Sequence, residues 1–312
     1  MKVYIPQDID PAGKNYLLER GYELKMGSAT DKATMMQEIT DCDAVIIRVA
    51  KLDREIMEAA PNLKVIGRHG VGTDNIDLAA AKELGIRVTN GPLSNSDSVA
   101  EHTVAMILSL ARILPALDRA VHSGDFGMRN RIRLIDLAGK TAGLIGSGRI
   151  AQSVARKLVY GFDMKVLTWG TSHPENLPEY MTYEPDLDKL LASSDIVSLH
   201  CPANERSRNL INAAALAKMK DDAILVNTAR GEVIDEKALY DTLAGGKLRG
   251  VGLDVYSKEP YPADSPLLTL PNVICSPHCA SHTNESFARM ALHAAMGVHE
   301  VLSGSPVSWP VV

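Results

Sequence analysis

The chain is poor in cysteine, in long apolar runs and in any surplus of one charge, and each shortage excludes a class of protein. Four cysteines in 312 residues do not make a disulfide framework, which points to reduced thiols and a cytoplasmic setting. No stretch approaches the roughly 18 apolar residues of a membrane span. The best, Val104 to Leu114, is broken by Arg112. The N-terminus, MKVYIPQDID, meets acid before an apolar h-region can form, so no secretory leader is expected. Lysine plus arginine is 33 against 38 acids, a net charge of −5. So mild an acidity offers no field for nucleic acid. A small anionic substrate would need a local basic cluster. GxxxxGK(S/T), HExxH and GxSxG patterns are missing, which argues against kinase-type, zincin and hydrolase chemistry. Tandem repeats and low-complexity tracts are missing too.

What is present is ordinary globular composition, 46% hydrophobic and 23% charged, at a length of about two domains. The pattern along the chain is strand, turn, helix, repeated. Strands are predicted at Lys2–Ile5, Ala44–Val49, Leu63–Gly67 and Arg87–Thr89, with helices at Pro11–Arg20, Arg54–Ala60 and Asp77–Leu84. One long helix is predicted from Ser98 to His122. Gly124 to Gly139 then loses periodicity and gathers Arg129, Arg131 and Arg133, as an exposed connection does. A second series comes next. Its strands are Ala142–Ile145, Lys165–Trp169, Ile196–Leu199, Ala223–Asn227, Gly250–Val255 and Val273–Cys275. Its helices are Arg149–Tyr160, 187–192 (capped by Asp186), 211–219, 236–244 and Glu285–Leu302. Short apolar runs alternating with helical patterns specify parallel sheets covered on both faces. The expected fold is α/β, with two doubly wound parallel-sheet domains and a cleft between them.

Residues 142–151 read AGLIGSGRIA. Gly146 permits a tight turn, Gly148 lets backbone approach a pyrophosphate, and Ala151 lets the helix pack close to the sheet. The helix N-terminus then supplies amides and partial positive charge. This context favours a nucleotide loop over a plain tight turn. A second loop, Gly70-Val71-Gly72, also joins a strand to a helix. Arg68 and His69 precede it and Asp74 comes after it, which suits a carboxylate cradle of backbone amides; the alternative is an ordinary βα turn. The residue that reads the adenosine ribose is due about 20 residues after the first loop. There the chain has Gly170, Thr171, Ser172 and His173, with no acid to repel a 2′-phosphate and no arginine to bind one. Both NAD and NADP stay open.

Three ionisable groups stand directly after apolar strands: Arg230 after AILVNTA, Glu259 after GVGLDVYSK, and His278 after NVICSP. Strand C-terminal ends line the ligand crevice of a parallel sheet, so these residues converge. Their combination beside a nucleotide loop favours function over a surface Arg–Glu pair and a loop histidine. Hydride transfer to a carbonyl needs a proton donor, and histidine is the natural acid near neutral pH. A carboxylate against an imidazole orients it and favours its protonated form. An arginine holds a substrate carboxylate in a fork and polarises the carbonyl.

With these residues in hand, the chain resembles the D-isomer-specific 2-hydroxyacid dehydrogenases over nearly its whole length. GSGRIA resembles the family's nucleotide loop, and Asn227-Thr228-Ala229-Arg230-Gly231 its arginine motif. Leu253-Asp254-Val255-Tyr256 with Glu259-Pro260 is similar to its glutamate motif. Ser276-Pro277-His278 with Ala280 is similar to its histidine motif. The resemblance implies two Rossmann-like domains. Residues 1–98, completed by 284–312, would bind substrate, and 99–283 would bind nucleotide. It also implies a homodimer with the long helix at its interface. Arg149 and Ile150 would meet the cofactor phosphates. Cys201, Thr228 and Asp254 would line the nicotinamide side, with Asp254 on the carboxamide. Gly170 stands where NAD-using relatives carry an acid. Val65-Ile66-Gly67-Arg68, Gly70 to Asn75, Asn90-Gly91 and Ser98 to Glu101 look most like D-3-phosphoglycerate dehydrogenases, in which Arg68 would meet substrate. The chain ends soon after its last helix, so no C-terminal regulatory domain is expected.

The implied activity is hydride transfer between NAD or NADP and a small anionic D-2-hydroxy acid or its 2-oxo partner. The acid/base would be His278, its partner Glu259, and the anchor Arg230, with Arg68, His69, Gly70, Val71 and Gly72 on the substrate. For His69, a selectivity role competes with a structural one. Glyoxylate or hydroxypyruvate reduction, or general 2-oxo acid reduction, is the close alternative. Formate or phosphite dehydrogenation is a more distant one. A nucleotide-sensing corepressor on the same fold is the non-enzymatic alternative. No metal is expected, because Cys275, His278 and Cys279 match no common zinc spacing. His102 and His293 fall in apolar helices and read as structural, as do the thiols Cys42 and Cys201. The run of three arginines reads as a solvated loop rather than a phosphate site.

Overall fold

The computed structural model describes residues 1–170 and 176–312; Thr171, Ser172 and His173 lie outside the described residues. The elements are β1 (Lys2–Ile5), α1 (Pro11–Leu18), β2 (Glu23–Met26), α2 (Lys32–Glu38), β3 (Ala44–Ile47), α3 (Arg54–Glu58), β4 (Val65–Arg68), α4 (Leu78–Glu83), β5 (Arg87–Thr89), α5 (Ser96–Ala111), α6 (Leu114–His122), β6 (Thr141–Ile145), α7 (Arg149–Phe162), β7 (Lys165–Trp169), β8 (Thr182–Tyr183), α8 (Leu187–Ser193), β9 (Ile196–Leu199), α9 (Ala213–Lys218), β10 (Ile224–Asn227), α10 (Glu236–Ala244), β11 (Gly250–Leu253), β12 (Val273–Cys275) and α11 (Asn284–Ser303). They form two compact units, Met1–Ser96 with Ser281–Val312, and Asp97–Ala280. Every pairing between these strands is parallel. The α/β class read from the apolar runs is the one observed.

In the first unit the strand order is β2-β1-β3-β4-β5. Side chains alternate between two cores. Val3, Ile5, Ile46 and Val65 pack with Ala291, Ala294 and Val298 of α11. Tyr4, Val45, Ile47 and Ile66 pack with residues of α2, α3 and α4. α11 lies close against the sheet and α1. A Cβ on Gly67 would meet the Ala294 carbonyl oxygen at 2.8 Å, and one on Gly13 the Ala291 oxygen at 2.6 Å. Asp10, Asp31, Asp53 and Asp77 cap α1 to α4 by accepting N–H groups of the first turn, each worth about 1 kcal/mol.

The second unit has seven strands, ordered β12-β11-β10-β9-β6-β7-β8. The strands stay parallel, but the order in which they are added reverses between β6 and β9, the switch point where parallel sheets open a crevice. One face buries Ile145, Leu199, Leu225 and Leu253 under α8, α9 and α10. The other buries Leu144, Ile196, Ile224 and Val226 under α5 and α7. Asp186, Asn212 and Asp235 cap α8, α9 and α10.

The single helix expected from Ser98 to His122 is two. α5 stops at Ala111 and α6 restarts at Leu114, with Ile113 left-handed at φ 43° between them. Pro115 has no N–H to give the Ala111 carbonyl, so the ladder breaks there. β2, α2 and β8 escape the apolar-run reading. β2 has no buried residue in its four, and β8 has only two residues.

Candidate active site

β10, β11 and β12 end in step. Asn227 pairs with Leu253, and Leu253 with Cys275. The ladder continues as Asp254 N–H donates to the Asn227 carbonyl at 3.0 Å and Ser276 N–H to Leu253 at 2.9 Å. The segments bearing Arg230, Glu259 and His278 therefore leave one end of the sheet side by side.

His278 Nδ1 lies 2.7 Å from Glu259 Oε2. A carboxylate only accepts, so Nδ1 carries the proton and Nε2 is left for proton exchange. Glu259 is held by the Tyr256 N–H, which donates to Oε1 at 3.1 Å. The pair is accessible, with side chains 51% and 37% exposed. His278 itself is left-handed, at φ 51°, a strained place for a non-glycine residue.

Arg230 sits in a turn built by a buried asparagine. Asn227 Nδ2 donates to the Arg230 carbonyl at 2.9 Å, and its Oδ1 accepts from Ala229 N–H at 3.0 Å. One guanidinium nitrogen donates to the Ala229 carbonyl at 2.6 Å. Gly231 makes the close approach. A Cβ there would lie 1.8 Å from the Tyr256 carbonyl carbon, so only glycine lets the arginine turn rest on the backbone leading to Glu259.

At the switch point, Gly146 has φ 112°, and a Cβ on it would meet the His200 carbonyl oxygen at 2.6 Å. Its N–H donates to the Trp169 carbonyl at 2.7 Å. Gly148 precedes α7 as its N-cap residue and gives it no side-chain cap, unlike the cap residues of α8, α9 and α10. The first-turn amides of α7, at Arg149 and Ile150, are left for an anion, and a Cβ on Gly148 would meet open space. A glycine cradle at an uncapped helix start fits a dinucleotide pyrophosphate. Gly170 comes directly after β7 and its carbonyl accepts from Tyr183 Oη at 3.3 Å. Cys201 lies just beyond β9, and burial pushes its thiol up to about 11, which keeps it protonated and non-nucleophilic. Thr228, Asp254 and Ala280 are 8%, 1% and 6% exposed. Asp254 is tied to protein: Ser276 Oγ–H, Cys279 N–H and Ala280 N–H donate to its carboxylate. His102, Asp254 and Cys279 place ligand-type atoms within 4.8 Å of one another, but these hydrogen bonds already occupy the carboxylate.

The first unit carries the second loop. Arg68 donates to the carbonyls of Gly72 and His69, so its guanidinium staples the loop that Gly70, at φ 125°, turns. The amides of Val71 and Gly72 belong to this loop, and Asn90 Nδ2 donates to the Val71 carbonyl at 2.8 Å. His69 is 4% exposed with Nε2 unpartnered. Burial and the Arg48 and Arg68 charges push it down to about 3. Its ring lies 5.9 Å from Phe287, which also meets His282 at 5.0 Å and the Arg48 guanidinium at 5.2 Å. Sequence reasoning misses Arg48, His282 and Phe287. Arg48 comes directly after the apolar run of β3, the same signal that marks Arg230.

The arginine run has local partners. Arg131 pairs with Asp125, Arg129 lies over Phe126, and Arg133 donates to the Ile132 carbonyl.

Two parallel doubly wound sheets, with a glycine cradle at one switch point and a histidine–glutamate pair beside an arginine turn, define a nucleotide-dependent dehydrogenase scaffold. Residues 104–280 match the family model for the NAD-binding domain of D-isomer-specific 2-hydroxyacid dehydrogenases, and the chain belongs to that family. It is 38% identical to D-3-phosphoglycerate dehydrogenase of Archaeoglobus fulgidus over 98% of its own length and 58% of that protein's. It therefore spans little more than half of that relative. It is 38% identical to glyoxylate reductase of Korarchaeum cryptofilum, over 93% of this chain and 89% of the relative. The structure of an NADPH-dependent glyoxylate/hydroxypyruvate reductase from Sinorhizobium meliloti, solved with citrate, superposes with a TM-score of 0.89 at 29% identity, covering 100% of this chain and 97% of that one. No described helix is long and apolar enough to cross a membrane.

Proposed function

We propose that the protein is an NAD- or NADP-dependent D-2-hydroxyacid dehydrogenase acting on a small 2-oxo or 2-hydroxy acid. The second unit would bind nucleotide and the first would bind substrate. The observation that carries the reading is the His278–Glu259 pair, in step with the Arg230 turn and on the same sheet as an uncapped glycine cradle. Gly146, Gly148, Arg149 and Ile150 would hold the pyrophosphate, with Gly170 toward the ribose. Cys201, Thr228, Asp254 and Ala280 would flank the nicotinamide. When bound, the nicotinamide supplies or accepts the hydride at C2. Arg230 binds the substrate carboxylate and draws charge from the C2 oxygen. His278 gives that oxygen a proton from Nε2, or takes it back in the reverse direction. Glu259 keeps the ring oriented and stabilises the imidazolium. In the first unit, the loop of His69, Gly70, Val71 and Gly72 would serve substrate, and Arg68 keeps that loop in shape.

A phosphoglycerate-type substrate is one branch of this reading. It would place the protein in serine synthesis, and it draws support from the Archaeoglobus relative. The other branch is an unphosphorylated 2-oxo acid such as glyoxylate or hydroxypyruvate. Arg129 over Phe126 and the exposed Arg131–Asp125 pair are weak local contacts that do not choose between the two branches. A homodimer and a cytoplasmic setting belong to the proposal. The test is oxidation of NADH and of NADPH with phosphohydroxypyruvate, hydroxypyruvate, glyoxylate, pyruvate and a bulky aromatic 2-oxo acid. Turnover on at least one is expected. Cofactor binding with no turnover on any of them would overturn the reading and restore the sensor alternative.

A further inference from the structure

We propose that His102 and Thr103, consecutive residues of α5, are positioning residues that set the histidine loop and the arginine turn respectively. The inference rests on the roles of His278 and Arg230 given above. It reverses the structural reading of His102 that its apolar helix suggests.

His102 Nε2 lies 2.9 Å from Ser276 Oγ, and Ser276 Oγ lies 2.6 Å from Asp254 Oδ1. The Asp254 carboxylate only accepts, so the serine proton goes to it. His102 must then donate, from a protonated Nε2. The result is a directed chain, His102 to Ser276 to Asp254. Its last member grips both sides of the catalytic histidine. The Asp254 carboxylate takes Cys279 N–H and Ala280 N–H, each at 2.9 Å. The Asp254 carbonyl takes His278 N–H at 2.8 Å. Such a grip is needed because His278 is left-handed, at φ 51°. A non-glycine residue stays there only where surrounding bonds over-determine it. Asp254 is 1% exposed, so its carboxylate depends on protein donors rather than on bulk water; His102, at the outer end of the chain, is 28% exposed.

Thr103 serves the neighbouring turn. Its hydroxyl donates to the Val99 carbonyl at 2.8 Å, which uses its single proton. Thr228 Oγ1, 2.9 Å away, therefore donates to Thr103. Thr228 stands two residues before Arg230, and the pair is buried, at 0% and 8% exposed. One helix turn thus carries one contact for each catalytic segment, and the two contacts have separable consequences.

The experiment is a kinetic split with rescue. H102L should lower kcat about tenfold or more while KM for the 2-oxo acid moves less than about threefold, because a misplaced acid costs turnover rather than ground-state binding. H102Q, which can present an N–H at similar reach, should recover most of it. T103V should raise KM about tenfold and change kcat less, with T103S restoring it. In cofactor-free protein, the Cys279 and Ala280 amides should exchange with deuterium faster in H102L and not in T103V. Thermal melting of all four variants confirms that they fold. The inference is overturned if both variants lose kcat and KM alike in proportion to their melting temperatures, if the conservative variants do not rescue, or if amide exchange is unchanged. An H278A control separates the two levels. Full turnover in H278A sinks the site reading itself, whereas an inactive H278A beside an unaffected H102L sinks only this inference.

Discussion

Gly231→Ala tests whether the arginine turn depends on backbone contact. The added Cβ would lie 1.8 Å from the Tyr256 carbonyl carbon, 2.1 Å from its oxygen and 2.3 Å from the Ser257 nitrogen. All three are backbone atoms, so no side chain can swing away. Ordinary contact begins near 3.4 Å, so the two segments must separate by about 1.6 Å. Arg230 precedes the glycine and Glu259 lies three residues beyond Tyr256, so the separation falls between the anchor and the partner of the acid. A displacement near 1 Å costs about 10²-fold in rate, and overpacking adds about 1–3 kcal/mol of instability. We expect kcat/KM to fall at least about 10²-fold, with nucleotide affinity nearly unchanged because the glycine cradle lies on another loop. Steady-state kinetics, nucleotide titration by fluorescence and thermal melting measure these quantities. Wild-type kcat/KM at an unchanged melting temperature would show that the arginine turn does not depend on this backbone contact.

Two other changes have defined outcomes. His69 is neutral when folded, because burial first and the Arg48 and Arg68 charges second push it down to about 3, while the unfolded chain protonates it near 6.5. The unfolded state therefore binds the extra proton as pH falls below 6.5. Stability contributed by the neutral ring is full above that value and is lost toward pH 3, at up to about 1.4 kcal/mol per pH unit. Urea unfolding at pH 6.5 and 4.5 should show a pH difference about 2 kcal/mol smaller in H69L than in wild type; equal differences would show that His69 protonates when folded. G170D puts a carboxylate at the end of β7, where it should repel a 2′-phosphate. NADPH affinity should fall about tenfold or more, equivalent to about 1.4 kcal/mol, with NADH affinity kept or improved; equal effects on the two nucleotides would remove Gly170 from the ribose site.

Much of this site is legible in the sequence, because strand ends and glycines leave local marks. AVIIRV, AILVNTARG and GVGLDV read as buried parallel strands from composition alone, and topology carries the residues after each run to one end of a sheet. Gly146 and Gly148 are visible as a pattern, and the structure supplies the reason in the close approach to His200. Other features depend on tertiary partners. β2 has no fully buried residue, so its place beside β1 comes from backbone pairing rather than from an apolar run. Arg68 looks like a substrate ligand by position. Its guanidinium also donates to carbonyls of its own loop, a second role that position alone does not reveal. His102 carries no sequence mark at all. Its role depends on Ser276, which is 174 residues away, and on a proton assignment that requires three side chains in view. The break at Pro115 is readable from the absent N–H, yet the apolar periodicity continues across it.

The role of His278 as the acid is tested by His278→Ala, assayed for 2-oxo acid reduction and for nucleotide binding in the same preparation. Turnover should fall about 10²–10⁴-fold in kcat, typical of removing a general acid, with the nucleotide dissociation constant nearly unchanged. Turnover that survives, or nucleotide binding lost in equal measure, would contradict that role.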